Sequence, residues 1–165
     1  MNGACIYTLF IIMYIRRNIK MEDFTNRHEK KIKCFKSHMK RFRNTFTPYP
    51  SNEIKYEWIR SAGNHYAKGV EYDKVVGLYE MSVFGKGKAG FLFTDDILYW
   101  GRTAHKYTIR LDDIEKITYY NESKEKDVDK GIVFHLKDGS IISSEGFCGV
   151  KCTPFIEFMN EYIKI

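Results

Sequence analysis

At 165 residues, with 44% apolar and 16% aromatic content, the chain suits one domain plus an extension and is too apolar for intrinsic disorder. The net charge of +6 is uneven: residues 1–60 carry 13 Lys or Arg against 5 Asp or Glu, while residues 61–165 carry 14 against 16, so attraction to anions belongs to the first third. Four scattered cysteines, Cys5, Cys34, Cys148 and Cys152, exclude the disulfide framework of a small secreted protein and point to a reducing, cytoplasmic compartment.

Ala4 to Ile15 is an apolar run of 12 residues followed by Arg16, Arg17 and Lys20. A membrane span needs about 20 apolar residues, and a secretory signal carries its positive charge before the apolar core. Three readings of residues 1–20 stay open: a leader ahead of a true start at Met21, a short membrane-associating anchor, or a segment packed on the rest of the protein.

A basic amphipathic helix is predicted within 21–47, running from Asn26 to Thr45 and opening with a capping-box pair, Asn26 and Glu29. Ile32, Phe35, Met39, Phe42 and Phe46 form one apolar stripe. The remaining surface is assigned Arg27, Lys30, Lys31, Lys33, Lys36, Lys40, Arg41 and Arg43. Such a face suits an anionic lipid surface, nucleic acid or an acidic protein; equally, it is the solvated side of a helix docked by its stripe.

Thr47-Pro48-Tyr49-Pro50-Ser51 is expected to end that helix. The second unit, 51–165, then opens with a helix from Asn52, capped by Ser51 and stopped at Gly69, with Trp58 as its packing anchor and His65 as an ordinary histidine. Seven strands follow: 75–83, 90–94, 97–101, 106–110, 115–120, 131–136 and 140–144. Turn chemistry separates them, notably Gly85, Gly87 and Gly90, then Asp95-Asp96, then Asp138-Gly139. A last helix starts at Thr153-Pro154 and buries Phe155, Phe158, Met159, Tyr162 and Ile163, with Glu157 and Glu161 expected to point away. The fold class is therefore α+β, mainly β: a barrel of about seven antiparallel strands, capped by a C-terminal helix and preceded by N-terminal helices.

No catalytic spacing is present: there is no phosphate loop, no G-x-S-x-G and no metal-binding helix motif. Cys148 and Cys152 alone do not supply the four ligands of a structural zinc site, so neither a metal nor a cofactor is expected, and no small-molecule substrate is indicated.

Val83-Phe84-Gly85-Lys86-Gly87-Lys88-Ala89-Gly90-Phe91-Leu92-Phe93-Thr94-Asp95, with Ile97 to Trp100 and Leu111-Asp112-Asp113-Ile114-Glu115-Lys116-Ile117, resembles the bacterial PH-like domains over roughly residues 52–165. Glu80-Met81-Ser82 departs from that pattern, where an Asp and a Thr would be expected. The resemblance implies two roughly orthogonal antiparallel sheets capped by the C-terminal helix. Lipid-binding PH domains hold an inositol phosphate with basic residues in the loop between their first two strands. By that comparison Lys86 and Lys88 are ligand-binding candidates, although lysine is a point charge without arginine's fork and a solvated turn accounts for them equally.

The expected function is a non-enzymatic interaction or scaffold module that binds a protein partner or associates with itself. The alternative is a peripheral membrane protein that uses the apolar run and the basic helix on anionic lipid. A further alternative is non-specific nucleic-acid binding through that helix.

Overall fold

The computed structural model describes residues 3–44, 46–82, 86–102, 105–121, 130–143 and 150–165. The elements in order are α1 (Gly3–Phe42), β1 (Thr47–Pro50), α2 (Tyr56–His65), β2 (Val75–Glu80), β3 (Gly90–Thr94), β4 (Ile97–Arg102), β5 (His105–Arg110), β6 (Ile114–Asn121), β7 (Lys130–Leu136), β8 (Ile141–Ser143) and α3 (Cys152–Tyr162). The strands form a five-stranded antiparallel sheet, β1-β2-β3-β4-β5, and a three-stranded one, β6-β7-β8. The α+β class is as expected. The closed barrel is not: no ladder joins the two sheets among the described residues.

Several boundaries differ from the sequence reading for identifiable reasons. Thr47–Pro50 is an eighth strand, not merely a break, and pairs Thr47 with Glu80 and Tyr49 with Leu78. Its two prolines are tolerated because β1 is an edge strand, and a residue before proline already favours extended geometry. The basic helix is the C-terminal part of the 40-residue α1. Nothing between Arg16 and Asn26 is proline or glycine, so the capping pair at Asn26 lies inside a continuing helix, where Thr25 donates to the Met21 carbonyl at 2.9 Å. Ser51 does not cap α2; it opens a 3-10 turn, Ser51–Glu53, and α2 starts at Tyr56. Pro154 sits in the first turn of α3, where its missing N–H is no loss. Gly85, Cys148 and residues 83 and 144 of the expected strands lie outside the described residues.

The central strands β2, β3 and β4 of the five-stranded sheet are buried on both faces because they alternate two apolar sets. Phe91, Phe93, Leu98 and Trp100 face one core, and Leu92 and Tyr99 face the other, as the two-residue period of a strand requires. The second face is covered by Ile59 and Ala62 of α2 and by Tyr66 just after it. The first core is shared with Ile117, Ile132 and Phe134 of the small sheet, with Phe35 and Phe42 of α1, and with Phe155, Phe158 and Tyr162 of α3. Aromatic edges lock the two helices there: Phe35–Phe158 and Phe42–Phe155 each lie 5.7 Å apart in T-shaped geometry. Gly77 allows α1 this close, since a Cβ there would stand 2.6 Å from the Phe35 ring. The end of α1 is tied to the start of α3 by Lys151 N–H donating to the Phe42 carbonyl at 3.0 Å.

No helix among the described residues is long and apolar enough to cross a membrane.

Candidate anion-binding surfaces

Docking of α1 by one stripe decides which of its cations face outward. Lys31, Cys34, Phe35 and Phe42 are buried, and Lys30, Lys33, Lys36, Lys40, Arg41 and Arg43 are exposed. Lys33, Lys36 and Lys40 recur at spacings of 3 and 4, so they form a basic stripe on the outward face of α1, with exposed Arg43 just past its end. Arg41 is set apart from it by an ion pair with Glu157 of α3 at 2.5 Å. Glu157 thus turns toward α1, contrary to expectation.

Lys31 is the correction within this set. It stands one turn before Phe35 on the docking stripe and is fully buried. Its ammonium donates to the Asp95 main-chain carbonyl and lies 4.6 Å from the centroid of the Tyr162 ring. Burial, reinforced by the nearby Arg27 charge, pushes its pKa down to about 8. It is therefore a structural cation and not part of the outward basic face.

Its partners belong to a turn anchor that sequence reasoning missed. Thr94-Asp95-Asp96 joins β3 to β4, shaped by the Thr94 hydroxyl bonding to Ile97. His28 Nδ1 lies 2.9 Å from both carboxylate oxygens of the buried Asp95. Arg27 donates to Asp96 at 3.0 Å and to the Ile165 carbonyl at 3.2 Å, and the Tyr162 hydroxyl donates to the Thr94 carbonyl at 2.8 Å. Both chain extensions thus meet at one acidic turn. An aspartate pair in a turn carries a local explanation, so the sequence gives no sign of the distant cations.

Lys86 and Lys88 do come together, and with a third lysine. Both are exposed and line a cleft of about 420 Å³ with Lys55, Glu57, Trp58 and Ser61. The Lys55 ammonium lies 5.7 Å from the centroid of the Trp58 ring. Lys86 and Gly87 adopt left-handed backbone, with φ of 92° and 70°. Glycine is required at 87, since a Cβ would meet the Trp58 carbonyl oxygen at 2.1 Å. Buried Glu80 fixes the loop by accepting from the Gly87 amide and, at 2.7 Å, from the Ser82 amide. The residue that departs from the PH-like pattern is thus a loop anchor. Three ammonium groups and one carboxylate make a net positive cleft suited to a small anion.

His65 is an exposed helix histidine whose Nδ1 lies 2.8 Å from the Ser61 carbonyl. The Cys34 thiol is pushed up to about 12 by burial and by the adjacent Glu161 carboxylate, which makes it a poor nucleophile at neutral pH. No family model matches the chain, and no curated protein aligns with it significantly.

Proposed function

We propose that the chain is a non-enzymatic PH-like interaction module that works at an anionic membrane surface, carried there by its N-terminal helix. One observation carries the reading: the apolar run, the basic stripe and the core-docking stripe lie on the single helix α1. The described side chains ahead of Arg27, at 13, 14 and 21–26, are exposed. About 36 Å of helix therefore precedes the first described contact with the body. The 12-residue run spans about 18 Å, too short to cross a hydrocarbon core of about 30 Å, and suits shallow insertion with α1 lying along the surface. In that orientation Arg16, Arg17 and Lys20 continue the basic character of the helix in sequence, and each stripe cation within reach of the surface adds about 1 kcal/mol near an anionic leaflet.

The PH-like assignment is supported by the order of elements: β2 to β5 form an antiparallel meander, β6 to β8 a second, and a helix closes the chain. A second reading, that the body binds a protein or another copy of itself, is favoured by the mostly exposed edge strand β5 and by exposed Tyr119 and Ile141 on the small sheet.

The test is co-sedimentation with phosphatidylserine vesicles of the full chain and of a chain lacking residues 1–20. Removing the run is expected to weaken binding at least tenfold, since burying even one large apolar side chain is worth about 1.5–3 kcal/mol. Equal binding by the two chains, or none by either, would contradict the reading.

A further inference from the structure

The helices that close the core carry a cluster used by neither the basic surfaces nor the turn anchor. Cys34 and His38 are one helical turn apart on α1, and Glu161 reaches them from α3. One thiol sulfur, one imidazole nitrogen and one carboxylate oxygen lie within 4.8 Å of one another.

Two features go beyond proximity. His38 Nε2 stands 3.3 Å from Glu161 Oε2. A tetrahedral ion with bonds of about 2.3 Å to sulfur and 2.0–2.2 Å to nitrogen and oxygen holds its ligand atoms roughly 3.3–3.6 Å apart. The other ring nitrogen is already engaged: Nδ1 lies 3.1 Å from the Cys34 main-chain carbonyl and 3.0 Å from Ser37 Oγ, which donates to that carbonyl at 2.8 Å. With Nδ1–H donating to the carbonyl, the lone pair rests on Nε2, on the side of Glu161. A backbone carbonyl behind the ring is the usual support of a metal-binding histidine.

Burial is graded across the cluster: Cys34 is 4% exposed, the His38 side chain 12% and the Glu161 side chain 57%. Sulfur and ring sit inside, and the carboxylate sits at the rim. One thiolate, one imidazole and one carboxylate is a donor set for borderline divalent ions, with the fourth position open toward solvent.

We propose that Cys34, His38 and Glu161 bind a divalent cation of the zinc class, with a water or external ligand in the fourth position, and that the ion pins α1 to α3. Binding releases the thiol proton to solvent and leaves sulfur as the thiolate ligand. In the competing account, His38 and Glu161 form a helix-to-helix ion pair that needs no metal.

Cobalt(II), added to the reduced, metal-free full chain, distinguishes them. The site predicts one tight equivalent, with a thiolate-to-cobalt charge-transfer band and tetrahedral ligand-field bands that zinc abolishes. Cys34→Ser removes the charge-transfer band and lowers affinity about 100-fold or more, beyond the 10–100-fold typical of losing a supporting partner. Glu161→Gln changes a surface residue and lowers affinity at least about tenfold. Zinc raises the thermal midpoint of the unaltered chain and leaves that of Cys34→Ser unmoved. The proposal is overturned if the unaltered chain shows no charge-transfer band, or if either variant keeps the band at unchanged affinity. Should Cys34→Ser fail to fold by circular dichroism, Glu161→Gln decides by the same criterion.

Discussion

Lys31 shows how far one residue's surroundings can reverse its expected role. Its folded-state pKa is about 8 against an ordinary 10.5. Below pH 8 both folded and unfolded chains hold the proton, so the cost of burying the charge is present in full. Between about 8 and 10.5 the unfolded chain binds the extra proton, and stability from this group rises with pH. The difference in pKa corresponds to about 3 kcal/mol across the window. Cys34, raised to about 12, and Tyr162, held well above 10 by burial, act in the opposite sense once their unfolded counterparts ionise. The informative quantity is therefore the difference between the unaltered chain and Lys31→Met, measured by denaturant unfolding at pH 7.5 and pH 10.5. It is expected to shift by about 3 kcal/mol in favour of the unaltered chain; a difference that does not change with pH would contradict the buried, titrating lysine.

At the scale of elements, α1 is held by its aromatic stripe and oriented by the polar anchor at its middle. Phe42 is fully buried, with Phe158, Phe155 and Tyr79 rings at 5.0, 5.7 and 5.9 Å. Phe42→Ala is expected to cost about 3–5 kcal/mol in denaturant unfolding, and Lys36→Ala, on the outward face, less than about 0.5 kcal/mol. Similar costs for the two would mean that α1 does not dock by this stripe. The same elements show what the sequence discloses. The β3–β4 hairpin was legible because alternating apolar residues and a Thr-Asp-Asp turn are local signals, and β3 falls on its expected residues. β1 was hidden by its two prolines, which read as a break unless the strand is known to lie at an edge. Lys31 was hidden by its own side chain: the spacing placed it with Phe35 and Phe42, but a lysine invites an exposed assignment. The cleft at Lys86 and Lys88 was half legible, since Lys55 enters through tertiary packing alone. The Cys34–His38 spacing is visible on a helix, but Glu161 is brought there by the packing of α3 on α1, for which no local pattern exists.

Across the whole molecule, charge and apolarity are segregated along one axis. The sheets, α3 and the docked part of α1 share a core that takes up the stripe through Phe35 and Phe42. That docking leaves the basic stripe as the outward feature of this part of the helix. Upstream, the same rod carries the apolar run. The chain beyond residue 60 is near neutral, so the positive field lies on the side of α1, and on the proposed reading attraction to an anionic surface would orient the molecule as well as hold it.

The most direct measurement is vesicle co-sedimentation of the full chain across a salt series, comparing phosphatidylserine-containing with purely phosphatidylcholine vesicles. A Lys33→Glu, Lys36→Glu, Lys40→Glu variant is run in parallel. The account predicts preferential, salt-weakened binding to the anionic vesicles. At low salt the variant should bind about 100-fold or more weakly, from the loss of three interactions of about 1 kcal/mol each. Equal, salt-insensitive binding to both vesicles, or unchanged binding by the variant, would contradict it.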